Sequence, residues 1–386
     1  MRVAHVITRL ILGGAQENTL LTCEGLMRRY GDEVLLVTGP ALGPEGSLLE
    51  RARAGGVPVK VIPHLRRAIH PWYDLQSYWR IKAVLRRFRP DVVHTHSAKG
   101  GILGRAAAWA LKVPAIVHTV HGAPFHPYQG RAGQGFVILC ERWAARRCHA
   151  LISVADAMTA LLVRAGVAPP EKFTTIYSGM EVEPFLESDR LRPAARAALG
   201  YQPEHVVVGK IARLFHLKGH EDVIQAARIV VAQVPCVRFL LVGDGLLAER
   251  IERKIRQAGL TEFVQRVGLV PPDRMPEIMA AVDIVVHASL REGLARVLPQ
   301  ALIAGKPVVS YDIDGAREVV LPEVTGLLVP PRDRQGLADT LVRLAKDPRL
   351  RERLGNEGRR RFADAFRHER MTDAIRCLYE KILARR

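Results

Sequence analysis

The chain has 386 residues, 48% of them hydrophobic and 25% charged, a composition of folded globular proteins and not of disordered or collagen-like ones. Lys and Arg outnumber Asp and Glu by 57 to 39, a formal charge of +18, so the field attracts anions such as nucleic acid, an anionic membrane or phosphorylated small molecules. No apolar run approaches the roughly 18 to 20 residues that span a bilayer, and Cys23, Cys140, Cys148, Cys236 and Cys377 form neither a C-x-x-C pair nor a metal-ligand spacing.

One hydrophobic core rarely organises this length, so two domains of about 180 residues each are expected. Met1 to Ile7 enters a strand pattern without an export signal, which predicts a cytoplasmic protein. Short β-branched runs predict strands at residues 3–7, 34–38, 57–62, 91–96, 115–120, 151–154 and 174–177. Helical periodicity with stop signals lies between them, at residues 15–30 before Gly31, 74–88 before Pro90, and 97–111. The pattern restarts with strands at 206–211, 238–242, 263–267, 284–287, 308–311 and 326–329. The expected fold is therefore α/β: two Rossmann-like, doubly wound parallel-sheet domains, residues 1–182 and 183–386. The polar stretch from Ser178 to Pro203 suits an interdomain hinge. The charged tail after Asp333 is helical, and its last segment can pack back on the first domain. Nucleic acid is not expected as a partner, because no binding module is recognisable and the Arg residues are dispersed along helices.

In open parallel sheets, ligands bind beyond the carboxyl ends of the strands. Gly13-Gly14 follows the first strand and opens a helix, where bare backbone can approach a phosphate; a tight packing turn is the bland alternative. His94 and His96 share one face of a strand exit, and His118 and His121 bracket the next. No carboxylate or thiolate is spaced to complete a metal site with them, so no metal is expected. A core role suits each of these histidines except His121, whose Gly-containing, Pro-rich loop is not core. Arg213 and Lys218, five residues apart at a strand exit before a helix, can clamp a diphosphate; a solvated basic loop is the alternative. Glu292 stands at another strand exit beside Gly293 and Leu294, with Gln300 about two helical turns further on.

Ser289 to Ser310, with Ala304-Gly305-Lys306-Pro307 near its end, resembles the signature of the family 4 retaining glycosyltransferases, which have the GT-B fold of two domains facing a cleft. Gly13-Gly14, the His94-Thr95-His96-Ser97 run, His121-Gly122, Arg213 with Lys218, Val242-Gly243-Asp244-Gly245 and Ala281-Val282-Asp283 extend the resemblance along the chain. It implies a nucleoside-diphosphate sugar as co-substrate, with no cofactor, no required metal and no covalent nucleophile. Arg213 and Lys218 would hold the donor diphosphate, approached by Gly13, Gly14 and Gly243. His121 and Glu292 would act at the donor sugar, assisted by the Gly293 and Leu294 amides. The family has a second Glu where this chain has Gln300; an amide can still bond ribose hydroxyls, but without charge. Asp312-Ile313-Asp314 looks like the metal-binding motif of another glycosyltransferase fold and is expected to shape a loop instead.

The resemblance makes the first domain the acceptor side. There Arg66, Arg67, Trp72, Tyr73, Tyr78, Trp79, Arg80, Lys82, Arg86, Arg87 and Arg89 mix aromatic and basic side chains, which suits an anionic membrane surface and a glycan or lipid-linked acceptor. A solvated helix with its Trp residues turned inward is the alternative. A dinucleotide-binding dehydrogenase lacks its G-x-G-x-x-G after the first strand. A sugar-nucleotide epimerase of the same fold, or a non-catalytic nucleotide-sugar binder, remains the competing function.

Overall fold

A computed structural model describes residues 1–42, 46–126 and 128–385, and these form two compact units. The first comprises Met1–Met180 together with Arg367–Arg386. Its seven strands are β1 (Arg2–Arg9), β2 (Glu33–Gly39), β3 (Val59–Val61), β4 (Val92–His96), β5 (Ala115–Val120), β6 (Ala150–Ser153) and β7 (Phe173–Thr175). All are parallel, in the order β3-β2-β1-β4-β5-β6-β7. Every residue of β4, β5 and β6 is buried, as expected of strands covered by helices on both faces. The strand order reverses between β1 and β4, so their carboxyl ends border a crevice.

The helix Gly14–Tyr30 stops at Gly31, whose φ of 62° caps its last carbonyls. Against it packs the final helix, His368–Leu383, burying Met371, Ile375 and Tyr379. Arg29 and Tyr30 both donate to Asp373, and Arg376 donates to the buried Asp32. The helix His368–Leu383 thus packs in the first unit, not in the unit it follows in the chain.

The second unit is Glu181–Phe366. Its strands are β8 (Val206–Ile211), β9 (Val237–Val242), β10 (Val264–Arg266), β11 (Ile284–His287), β12 (Val308–Tyr311) and β13 (Gly326–Val329). They run parallel in the order β10-β9-β8-β11-β12-β13, which places β8 at the reversal. The border between the units, Met180 to Glu181, falls inside the stretch expected to be a hinge, and the rest of that stretch is helical at Glu183–Leu186 and Arg192–Ala198 and packs within this unit. Its anchor is Asp283, which pairs with Arg192 at 2.5 Å and Arg196 at 3.2 Å and accepts the Val207 N–H at 2.8 Å. Local composition could not reveal a carboxylate some ninety residues away. Among the described residues no helix is long and apolar enough to cross a membrane.

Candidate active site

In the second unit, the chain leaving β8 turns through residues 212–219 into the helix His220–Gln233. Gly219 makes this turn possible: its φ is 70°, and a Cβ there would lie 1.8 Å from the Ala288 carbonyl oxygen. The close approach lets the Leu290 N–H donate to the Leu217 carbonyl at 2.8 Å, locking the β8 and β11 exits together. Lys218 thereby forms an ion pair with Glu292, and His287 Nε2 lies 3.5 Å from the same carboxylate oxygen.

Burial would push the Glu292 carboxyl up, but the Lys218 ammonium, followed by His287, overcomes this and holds it well below the usual carboxylate range. The Glu292 N–H donates to Asp314 Oδ2 at 2.7 Å, and the Gly315 N–H donates to the Gly293 carbonyl at 3.1 Å. Asp312 is paired with Arg317. Both carboxylates of the Asp-x-Asp sequence are thus engaged in holding the Glu292 loop and its neighbour.

Gly243, with φ 130°, brings the β9 exit against β8, since a Cβ would sit 2.2 Å from the Ala212 carbonyl oxygen. The Leu214 N–H donates to the Asp244 carbonyl at 2.9 Å, and the exposed Arg213 lays its guanidinium 5.0 Å from the Phe215 ring centroid. Arg213, Lys218, Gly243, Glu292, Gly293 and Leu294 therefore stand on loops at the exits of β8, β9 and β11. Gln300 is half-buried on the helix Val297–Ile303. This loop set has the chemistry of an anion site, with cations, glycine backbone and one carboxylate.

Sequence reasoning missed Lys210, His220 and His287. Lys210 has no exposed surface, and its Nζ has no hydrogen-bond partner among the described residues. Burial, then the Lys218 charge, pulls its ammonium down to about 7. A lysine inside the otherwise apolar run of β8 is the signal that could have found it.

In the first unit, Gly13 precedes the helix Gly14–Tyr30 with an extended backbone, and its carbonyl accepts the Gln16 and Glu17 N–H groups at 3.1 and 3.0 Å. His94 and His96 do share one face, with ring centroids 4.3 Å apart. They are joined by His5 on β1, the register partner of His94, which sequence reasoning also missed because it lies 91 residues from His96. His5 Nδ1 meets His96 Nε2 at 3.0 Å, and His96 Nδ1 meets His121 Nε2 at 3.1 Å. His94 is held by the Tyr379 hydroxyl at 2.5 Å and the Thr119 hydroxyl at 2.6 Å, and His118 by Thr95 at 2.9 Å. Burial lowers His5 to about 3 and also holds His94, His96 and His118 well below their ordinary value. Ring nitrogens of His5, His94 and His96 lie within 4.8 Å of one another and could hold a metal ion, although both nitrogens of His94 and His96 already make hydrogen bonds.

Residues 13–179 match the model of the glycosyl transferase 4-like domain, and residues 192–361 that of the glycosyl transferases group 1. The chain is 31% identical over 356 residues to 2-deoxystreptamine N-acetyl-D-glucosaminyltransferase of Streptomyces fradiae, covering 83% of this chain and 80% of the relative. It is 27% identical over 381 residues to UDP-Gal:alpha-D-GlcNAc-diphosphoundecaprenol alpha-1,3-galactosyltransferase of Escherichia coli, covering 98% and 96%. The crystal structure of Anabaena HepE in complex with UDP and glucose superposes with a TM-score of 0.84 at 22% identity, covering 98% of this chain and 99% of that one. That likeness identifies two Rossmann-like sheets of the GT-B kind, and the two domain models with the Streptomyces fradiae relative place this chain among the family 4, group 1 glycosyltransferases.

Proposed function

We propose that the chain is a retaining, metal-independent transferase. It moves a hexose or N-acetylhexosamine from a nucleoside-diphosphate sugar, UDP being the nucleotide, to a hydroxyl of a glycan or lipid-linked acceptor. The observation that carries this reading is the Lys218–Glu292 pair at the β8 and β11 exits, on the same β8 exit loop that carries the exposed Arg213. When the anomeric C–O bond breaks, its electron pair passes to the diphosphate, and Arg213 and Lys218 stabilise the developing charge in place of a metal. The acceptor oxygen bonds to the anomeric carbon from the same face, and its proton passes to the departing phosphate.

Glu292 orients the sugar hydroxyls with the Gly293 and Leu294 amides, Gly243 keeps the phosphate loop close, and Gln300 bonds the ribose. The roles of Gly13, Gly14 and His121, in the first unit, rest on the family resemblance. The Escherichia coli relative, named for UDP-Gal and a diphosphoundecaprenol-linked acceptor, supports UDP and a lipid-linked acceptor. An anionic membrane face is supported by exposed Trp72 and Trp79 among basic residues, so the enzyme works on the cytoplasmic side as a peripheral protein in polysaccharide or glycolipid synthesis.

Incubation with UDP-, GDP- and ADP-sugars and a polyprenyl-diphosphate sugar acceptor tests the reading by assay of released nucleoside diphosphate. Release with a UDP-sugar, and an α-linked product from an α-donor by NMR, is expected. No release from any donor overturns the transferase mechanism, and a β-linked product overturns retention.

A further inference from the structure

Among the described residues, Lys210 is a buried amine without a hydrogen-bond partner, and it stands on the strand at the reversal of the second sheet. Buried amines without partners are rare, because a buried ammonium costs far more than a surface one. Its electrostatic neighbours come from the β8 and β11 exits and from the helix after β8, while β9 sets the apolar Leu241 beside it. Lys218 and Glu292 lie on the β8 and β11 exit loops, His220 opens the helix His220–Gln233, and His287 ends β11. His220 Nδ1 and His287 Nδ1 are likewise buried without hydrogen-bond partners, while His287 Nε2 faces the Glu292 carboxylate at 3.5 Å. A single carboxylate, Glu292, thus faces one paired ammonium and three groups that burial keeps from charging, at the amino end of a helix whose dipole adds further positive potential.

Such a cluster holds more basic groups than its one carboxylate can pair, and an incoming dianion supplies negative charge. We propose that binding of the donor diphosphate is coupled to uptake of one proton by Lys210, whose neutral amine becomes the ammonium that compensates the second phosphate charge. The inference rests on the donor site proposed above. The proton comes from solvent, and no covalent bond to the ligand forms. Since burial holds the free protein's Lys210 at about 7, uptake is small in mild acid and approaches one proton in mild base. Affinity then falls by about tenfold per pH unit above neutrality.

Calorimetry of the full chain with UDP-glucose tests this, because its diphosphate is esterified at both ends and does not itself titrate near neutrality. Heats in HEPES and in Tris at about pH 8 should differ by the buffers' ionisation heats times nearly one proton, and at about pH 6.5 by a small fraction of that. Lys210→Met, similar in volume and uncharged, should bind with no proton uptake and an affinity that no longer changes with pH. Lys210→Arg, permanently charged, should keep tight binding in mild base, also without uptake. Equal heats in the two buffers at about pH 8 overturn the coupling while leaving the donor site standing. Uptake retained by Lys210→Met assigns the proton elsewhere and overturns the role of Lys210. Failure of UDP-, GDP- and ADP-glucose alike to bind overturns the donor site and the coupling together.

Discussion

Lys218 and Glu292 are 74 residues apart in the chain and form an ion pair that ties the loop after β8 to the loop after β11. Lys218→Ala removes both the Glu292 counter-charge and a cation for the leaving diphosphate, so transfer should fall by about 10² to 10³-fold in kcat. Lys218→Arg should recover part of it, since the charge remains but the point-like ammonium is replaced by a planar fork. Steady-state release of nucleoside diphosphate measures both, and wild-type turnover by Lys218→Ala would remove this residue from the mechanism.

Gly219 is held at a left-handed φ with its Cα against Ala288. Gly219→Ala has to distort the backbone or part the two exits, at a cost of about 1 to 3 kcal/mol. The expected outcome is an unfolding midpoint lower by about 5 °C in differential scanning calorimetry, together with weaker donor binding because Lys218 immediately precedes Gly219. An unchanged midpoint would mean the Leu217–Leu290 contact is not constrained as described.

The buried imidazoles of the first unit make its stability depend on pH. The folded His5 charges only near 3, against an ordinary 6.5 in the unfolded chain, so between those values the unfolded state binds more protons. Stability therefore rises with pH through that window and is lost as acid is added, with a slope of at most about 1.4 kcal/mol per pH unit from each such group. Urea unfolding of wild type and His5→Leu at about pH 4.5 to 6 should give a shallower pH slope for the variant. Identical slopes would show that His5 is not neutral and buried in the folded state.

The strands were legible because parallel strands buried on both faces read as continuous apolar runs; those at β5, β8, β11, β12 and β13 match residue for residue. That Arg213, Lys218 and Glu292 stand on strand-exit loops was legible because each follows a continuous apolar strand run in the sequence. What stayed hidden depends on strands that are neighbours in space only. His5 meets His94 through the β1–β4 pairing, and Asp283 gathers Arg192 and Arg196 from a stretch that reads as a linker. Lys210 was passed over because strand periodicity counts it as one polar exception among apolar residues, while its burial depends on what the helix after β8 covers.

Gln300 stands where the family resemblance has a carboxylate. If its amide bonds the ribose hydroxyls, Gln300→Glu converts those neutral hydrogen bonds into charge-assisted ones, which are roughly twice as strong. The expected result is a several-fold lower KM for the nucleotide sugar with little change in kcat, the pattern of uniform binding. A kcat that falls with KM unchanged would place residue 300 away from the ribose.

The helix Pro71–Phe88 buries Ser77, Ile81 and Leu85 and leaves Trp72 61% and Trp79 56% exposed, so its tryptophans do not face the core. The helix Arg131–Ala145 likewise exposes Phe136 at 63% and Leu139 at 61%, with Arg131, Arg142, Arg146 and Arg147 along or just beyond it. Aromatic and basic side chains presented together suit partial insertion into an anionic interface, where each buried apolar side chain and each nearby cation adds of order 1 kcal/mol. Sedimentation with phosphatidylglycerol vesicles at low salt should carry the wild-type chain down, and added salt should weaken the binding by screening its electrostatic part. Trp79→Asp and Phe136→Asp should each reduce binding several-fold while leaving the unfolding midpoint nearly unchanged, because neither side chain supports the core. Sedimentation of both variants equal to that of wild type, or none by wild type at low salt, would exclude these two helices as the membrane contact.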